Sequence, residues 1–289
     1  MKSMKIKNNW PVIEIQSVNE FLNEVGKRQN WVFRGQNYHH DLYAQIDRGD
    51  LAGIDRGQKI WLEQTSITKF LDSVEYPGDP TEQKIITTCK TDNQALENYR
   101  VDLLMIMQHY SVPTRLVDWS EDPNIALYFA VNNNFGNNDD YNGEIWCFDA
   151  KQYNFIGPTQ WDYKKHPILF TKKDEKFEFD NTLKNWFLTD ELEGEWIVAE
   201  KMNKDFQIHR VELQKGLFTI TSKFDRDHAV ALQRLFTNDS RYYCRLVIDK
   251  NIKSKLRDYL GIQKIWGGSL FSDPAGVANA LRKDIFDLD

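Results

Sequence analysis

The sequence predicts an α+β fold of mixed, mostly antiparallel, short-stranded sheets with helices packed on them. Three observations predict it. Short runs rich in β-branched and aromatic residues, at Trp31–Gln36, 114–119, 144–149 and 242–248, read as strands. Helical patterns lie between them without strict strand–helix alternation, which argues against a doubly wound parallel sheet. The chain has 289 residues, 41% hydrophobic and 13% aromatic, so it can bury a sizeable core.

The elements follow in order. Ser17-Val18-Asn19-Glu20 has capping-box spacing and predicts a helix to about Arg28. The strand Trp31–Gln36 comes next. Residues 37–55 read as loop, with Arg48-Gly49-Asp50 as a breaker. A helix is predicted near 58–73, ended by Tyr76-Pro77-Gly78-Asp79-Pro80. A long helix then starts with Thr91 as cap and Gln94 in the capping-box position. Leu96, Tyr99, Leu103, Ile106, Met107 and Tyr110 recur along it at three- and four-residue steps, and Pro113 stops it. After the strand at 114–119, Asp122 as N-cap and Pro123 at the first helical position open a helix through Val131. Residues 132–143 are a polar, Asn-rich turn before the strand at 144–149. Strand-like runs return at 210–214 and 216–221, then a helix at 226–237, a strand at 242–248, a helix at 251–260 and a last one from Asp273-Pro274. Residues 151–205 lack a regular pattern and read as an insertion with a short helix near 180–190 and a strand near 196–199. One domain is expected, its core at about 12–150 and 206–289.

Composition excludes several classes. The net charge of −6 argues against a general polyanion-binding surface. Lys2, Lys5 and Lys7, Lys164 and Lys165, and Lys250, Lys253, Lys255 and Arg257 are local clusters that read as solvated faces. Cys89, Cys147 and Cys244 are odd in number with no CxxC pair, so neither a disulfide framework nor a zinc knuckle is indicated. The six histidines have no metal-ligand spacing, and no metal is expected. The basic stretch 1–11 lacks an apolar core, and no apolar run approaches the roughly 18 residues that span a bilayer. A cytoplasmic, reducing location without a membrane partner is predicted. Walker A and GxSxG sequences are absent.

Three segments place polar groups where the pattern wants apolar ones. In Trp31-Val32-Phe33-Arg34-Gly35-Gln36, Arg34 ends an apolar strand, where an unpaired guanidinium is costly to bury. An anion or a carboxylate is expected beside it, and Gly35 allows another backbone or a ligand to come close. The plain alternative is a structural ion pair. In the run from Gln108 to Ser120, alternation puts Arg115 and Val117 on one face, and Thr114, Leu116, Asp118 and Ser120 on the other. Arg115–Asp118 and Arg34–Asp118 are the natural pairs, with Arg115 the structural member. The following helix offers its N-terminus as an anion site. The third segment is Arg210-Val211-Glu212-Leu213-Gln214-Lys215-Gly216-Leu217-Phe218, whose plain reading is a strand turn. His109 reads as a satisfied helix-end histidine. Tyr110, Trp119, Trp161 and Tyr163 read as packing, with a base-stacking platform as the alternative.

Together these segments resemble the FRG-domain family. The first matches its Phe-Arg-Gly triplet. The second is similar to its "QHYGxPTRLLDW" run, here Gln108 to Trp119, followed by a "PxxALxFA" helix, here Pro123 to Ala130. The third is similar to a "PRxxxQxGxF" element, here His209-Arg210 through Gln214, Gly216 and Phe218. Leu270-Phe271-Ser272-Asp273 resembles a closing "lfPdldgla" helix. Departures are Ser111 for Gly, Val117 for Leu and His209 for Pro, and the insertion at 151–205 has no counterpart. The order of elements is similar to the ADP-ribosyltransferase superfamily, and the resemblance implies a core of that kind. It further implies an NAD-consuming transferase that modifies RNA, DNA or protein, as a prokaryotic toxin or antiviral defence effector with a possible antitoxin partner. A non-catalytic nucleotide or nucleic-acid binding module, and an NAD hydrolase, are the alternatives. On this resemblance Arg34, Gly35, Gln36, Tyr110, Thr114, Asp118 and Ser120 would bind NAD. Gln214 or Glu212, two residues apart on one strand face, would join Arg34 in catalysis. Transferases commonly carry Glu in that third position.

Overall fold

The computed structural model describes residues 8–75, 79–132, 139–150, 197–200, 209–236, 238–271 and 277–278. Its strands are β1 (Val12–Ile15), β2 (Trp31–Gln36), β3 (Leu116–Ser120), β4 (Gly143–Asp149), β5 (Ile197–Glu200), β6 (Gly216–Thr221) and β7 (Tyr243–Ile248). They form one sheet in the order β1-β7-β4-β2-β3-β6-β5. Only β1–β7 is parallel; the other neighbours are antiparallel. The α+β class predicted from sequence is what the chain adopts.

Register assigns the two faces. Phe33 pairs with Cys147 and Ser120, and Asp118 with Phe218, so these residues share one face. Helices α1 (Val18–Gly26), α6 (Pro123–Val131) and α9 (Lys253–Ile262) cover one end of that face, over Phe33, Ile145, Cys147 and Leu246. Helices α2 (Arg56–Ser73), α3 (Pro80–Thr91) and α5 (Arg100–His109) cover the other end, over Leu116, Phe218 and Ile220. The opposite face carries Val32, Val117, Trp119 and Trp146, packed against α8 (His228–Leu235) and Trp10.

Gly35 decides how close α6 can lie. A Cβ there would sit 1.8 Å from the Ala126 carbonyl oxygen, so only glycine admits the helix. Gly143 on the adjoining strand does the same against the Ala130 carbonyl, at 2.3 Å. The close approach foreseen at Gly35 is therefore made by a backbone.

Several expectations need correction. β1 was not predicted: four residues with a single buried side chain, Ile15, carry too little pattern. Helix α3 was missed, although Asp79 caps it and Pro80 starts it as Asp122 and Pro123 do for α6; its Thr and Ile content hides the period. The helix expected to start at Thr91 is two helices. Thr91 ends α3, and Asp92 caps α4 (Asn93–Asn98) by accepting from the Gln94 amide at 2.8 Å. The chain turns at Tyr99 so that α5 can enter the core, where Val101 to Met107 are all buried, while α4 buries only Ala95. Residues 209–213 form helix α7 (His209–Leu213) rather than a strand. Five residues give no period that separates the two readings, and Val211 packs into the α5 core from the helix. A further short helix, α10 (Gly267–Leu270), follows α9. The helix expected near 180–190, and Trp161, Tyr163 and Trp196, lie outside the described residues; of the helix expected from Asp273-Pro274, only residues 277–278 are described, and they are helical.

Candidate functional site

The sheet opens at the centre. β2 and β3 share a single registered pair, Phe33 with Ser120, and then diverge. Divergence leaves backbone groups without ladder partners, and each such group needs another. Arg34 fills that need: its Nη1 donates to the Asp118 carbonyl at 2.8 Å and lies 3.3 Å from Asp118 Oδ2. A cavity of about 420 Å³ occupies the opening, between α5 and α6. That size falls in the range of small-molecule sites. Its floor is Phe33, Gly35, Leu116, Asp118, Ser120 and Phe218. Met105 and Gln108 of α5 and Ile125 and Phe129 of α6 form two walls, and the loop after β2 adds Asn37, Tyr38, His40, Gln45 and Arg48.

The cavity is cationic and under-satisfied. Arg34 Nε is buried without a hydrogen-bond partner, and so is Asn37 Nδ2. Arg48 is half-buried and its side chain makes no hydrogen bond to a described residue; burial, and then the charge of Arg34, push its pKa below the ordinary value. Leaving buried polar groups unpaired costs on the order of 1–3 kcal/mol each, more for charges. Burial also lowers the pKa of His40 to about 4, so its ring is neutral at physiological pH. Gln36 is fixed from both ends: Oε1 accepts from Trp146 Nε1 at 3.1 Å, and Nε2 lies 3.1 Å from His40 Nδ1. An anion whose oxygens meet Arg34 Nε, Arg48 and Asn37 would satisfy the set.

The sequence candidates divide. Arg34, Gly35, Gln36, Asp118, Ser120 and Gln214 all line the cavity. Ser120 Oγ donates to the Gln214 carbonyl at 2.7 Å, which ties the second segment to the third. The others stand off the wall. Thr114 is fully buried and donates to Gln108 Oε1, so it positions Gln108 and has no surface for a ligand. Tyr110 donates to Glu82 Oε2 at 2.6 Å on α3, with its ring stacked on His109. Glu212 is exposed on α7 and does not share a strand face with Gln214, because the segment is a helix. Gln214 itself is neutral, and its Nε2 donates to the Leu270 carbonyl at 3.1 Å. The anion site expected at the start of α6 is closed: Asp122 caps it and also accepts from Lys215 Nζ at 2.8 Å.

The two arginines separate by role. Arg115 is 1% exposed, on the face away from the cavity, with Nε and Nη2 on Glu63 of α2 at 2.6 to 3.0 Å. Its guanidinium also lies 4.2 Å from the Phe224 ring. The sequence reading passed over Arg48, Asn37, Tyr38 and His40. They sit in a loop without periodicity, and the one available signal was the concentration of polar and aromatic residues directly after Phe-Arg-Gly.

Fold and site together define an α+β protein with an arginine-lined cavity set in a split of its central sheet. A family model described as FRG domain matches residues 29–139, so this part of the chain is similar to that family. The match takes in β2, α2 to α6 and the cavity residues from Phe33 to Phe129; α7 and β6 lie beyond it. Comparison with curated proteins finds no match, and comparison with solved structures finds none.

Proposed function

We propose that the protein is an NAD-dependent ADP-ribosyltransferase acting on a macromolecule. NAD is its substrate: the nicotinamide–ribose bond breaks, nicotinamide leaves, and the ADP-ribosyl group passes to a nucleophile on RNA, DNA or protein. The observation that carries the reading is the pair of guanidiniums that line the cavity, Arg34 with a buried Nε that has no partner and Arg48 half-buried beside it. A diphosphate supplies the charge and the planar oxygen pairs that a guanidinium fork accepts. The linear order of the segments adds support, since Arg34, the β3 residues and Gln214 come in the order that the resemblance implies and line one cavity.

One observation favours a second reading, a non-catalytic nucleotide-binding module. The third segment presents a neutral Gln214 whose amide already serves the Leu270 carbonyl. Incubating the full chain with labelled NAD and a mixture of protein, RNA and DNA separates the cases. Label on a macromolecule is the expected result. Binding of NAD without release of nicotinamide supports the module, and free ADP-ribose as the sole product supports a hydrolase.

A further inference from the structure

We propose that Asp118 is the catalytic carboxylate of this cavity, the group beside which the ribosyl cation forms; the inference rests on the transferase reading. The chemistry sets the requirement. When the C1′–N bond breaks, its electron pair moves to the pyridinium nitrogen and nicotinamide leaves neutral. Positive charge then develops on C1′ and the ring oxygen. A fixed carboxylate stabilises that charge far better than an amide does. The incoming nucleophile then bonds to C1′ through its lone pair, and the proton it loses passes to the carboxylate and on to water.

Among the described residues that line the cavity, Asp118 alone bears a carboxylate. Glu212 is on the outside of α7, and Gln214 is neutral. Asp118 is also held in place. Its Oδ1 accepts from Gln108 Nε2 at 2.5 Å, and its Oδ2 lies 3.3 Å from Arg34 Nη1. Gln108 is itself oriented, because the Thr114 hydroxyl donates to its other end. The side chain remains 53% exposed, which leaves lone pairs on both oxygens for a ligand. Arg34 uses only Nη1 on Asp118, and its Nε has no hydrogen-bond partner. One wall thus offers a phosphate partner beside a carboxylate, as a nucleotide requires, whose ribose is joined directly to its phosphate.

The test compares Asp118→Asn with wild type, full-length, in nicotinamide release from NAD, in NAD affinity by calorimetry and in thermal melting. With the acceptor mixture present, we expect kcat to fall on the order of 10²–10³-fold, because a group that acts on the transition state is lost. NAD affinity should stay within about 3-fold, since ground-state binding is retained. Melting should be cooperative. Gln108→Leu keeps the charge but frees the carboxylate, and should lower kcat about tenfold without removing NAD binding. It decides the matter if Asp118→Asn does not fold. The inference is overturned alone if wild type releases nicotinamide and Asp118→Asn keeps pace within about tenfold. It is likewise overturned if only Glu212→Gln or Gln214→Ala abolishes release. A wild type that releases no nicotinamide overturns the transferase reading and this inference together.

Discussion

At the scale of the residue, two arginines of similar sequence context have opposite duties. Arg34 and Arg115 both adjoin apolar strand residues, yet Arg115 is enclosed by Glu63 and Phe224 while Arg34 lines a cavity with its Nε unpartnered. Removing Arg115 leaves Glu63 buried and uncompensated, so Arg115→Ala should cost about 3–5 kcal/mol of stability, read in urea melts. Arg34→Ala should behave otherwise. Its partner Asp118 is half exposed, and the loss of stability should stay within about 1 kcal/mol. Affinity for NAD or ADP-ribose should fall at least tenfold, and Arg34→Lys should recover little, because an ammonium cannot reproduce the fork. If Arg34→Ala unfolds the chain as Arg115→Ala does, Arg34 is structural.

At the scale of the element, the site depends on how closely α6 lies on β2. The helix is set by its cap, since Asp122 Oδ1 accepts from the Asn124 amide at 2.9 Å and Pro123 cannot donate. Gly35 sets the distance. Gly35→Ala puts a methyl group into the Ala126 carbonyl, and neither is a flexible side-chain end. The strand or the helix must move, which costs on the order of 3 kcal/mol or more. The melting temperature of Gly35→Ala checks it; a melt within about 2 °C of wild type would show that α6 shifts freely. Where sequence signals were local they located elements well, as with Ser17 before α1, Asp122-Pro123 before α6 and the strand Trp31–Gln36. Where the outcome turned on burial they failed. Leu96 to Tyr110 keep one helical period across Tyr99, and only packing of α5 into the core breaks it.

At the scale of the molecule, strands from both ends of the chain meet in one sheet, with β1 pairing β7. Behind the cavity, this assembly buries His228 completely. Thr219 Oγ1 lies 2.8 Å from His228 Nδ1 and accepts from Trp119 Nε1 at 2.9 Å. Burial, with Arg34 and Arg48 near, lowers the His228 pKa from 6.5 to about 3. Between those values the unfolded chain binds a proton that the folded chain refuses, so stability falls as pH falls through this window. The slope from this residue approaches about 1.4 kcal/mol per pH unit. His40, lowered by burial to about 4, acts in the same direction. Urea melts at pH 7 and pH 5 should show the loss, and a flat profile between them would contradict neutral burial of His228.

The sequence by itself determined the α+β class, the central strand with its arginine and glycine, the capped helix α6 and the resemblance of residues 29–139 to the FRG domain. These rest on local signals: alternation, caps, a proline at the first helical position, and contiguous motifs. It also singled out Arg34, Asp118, Ser120 and Gln214 as polar residues out of place. Only the tertiary structure decided their arrangement. The divergence of β2 from β3 brings Arg34 to Asp118 and opens the cavity, and no local pattern encodes where two strands part. The helical form of α7 turns Glu212 outward, and a loop without periodicity supplies Arg48 and Asn37. Side-chain period is a property of one segment, whereas a site is made by contacts between segments distant in the chain, and those follow from packing.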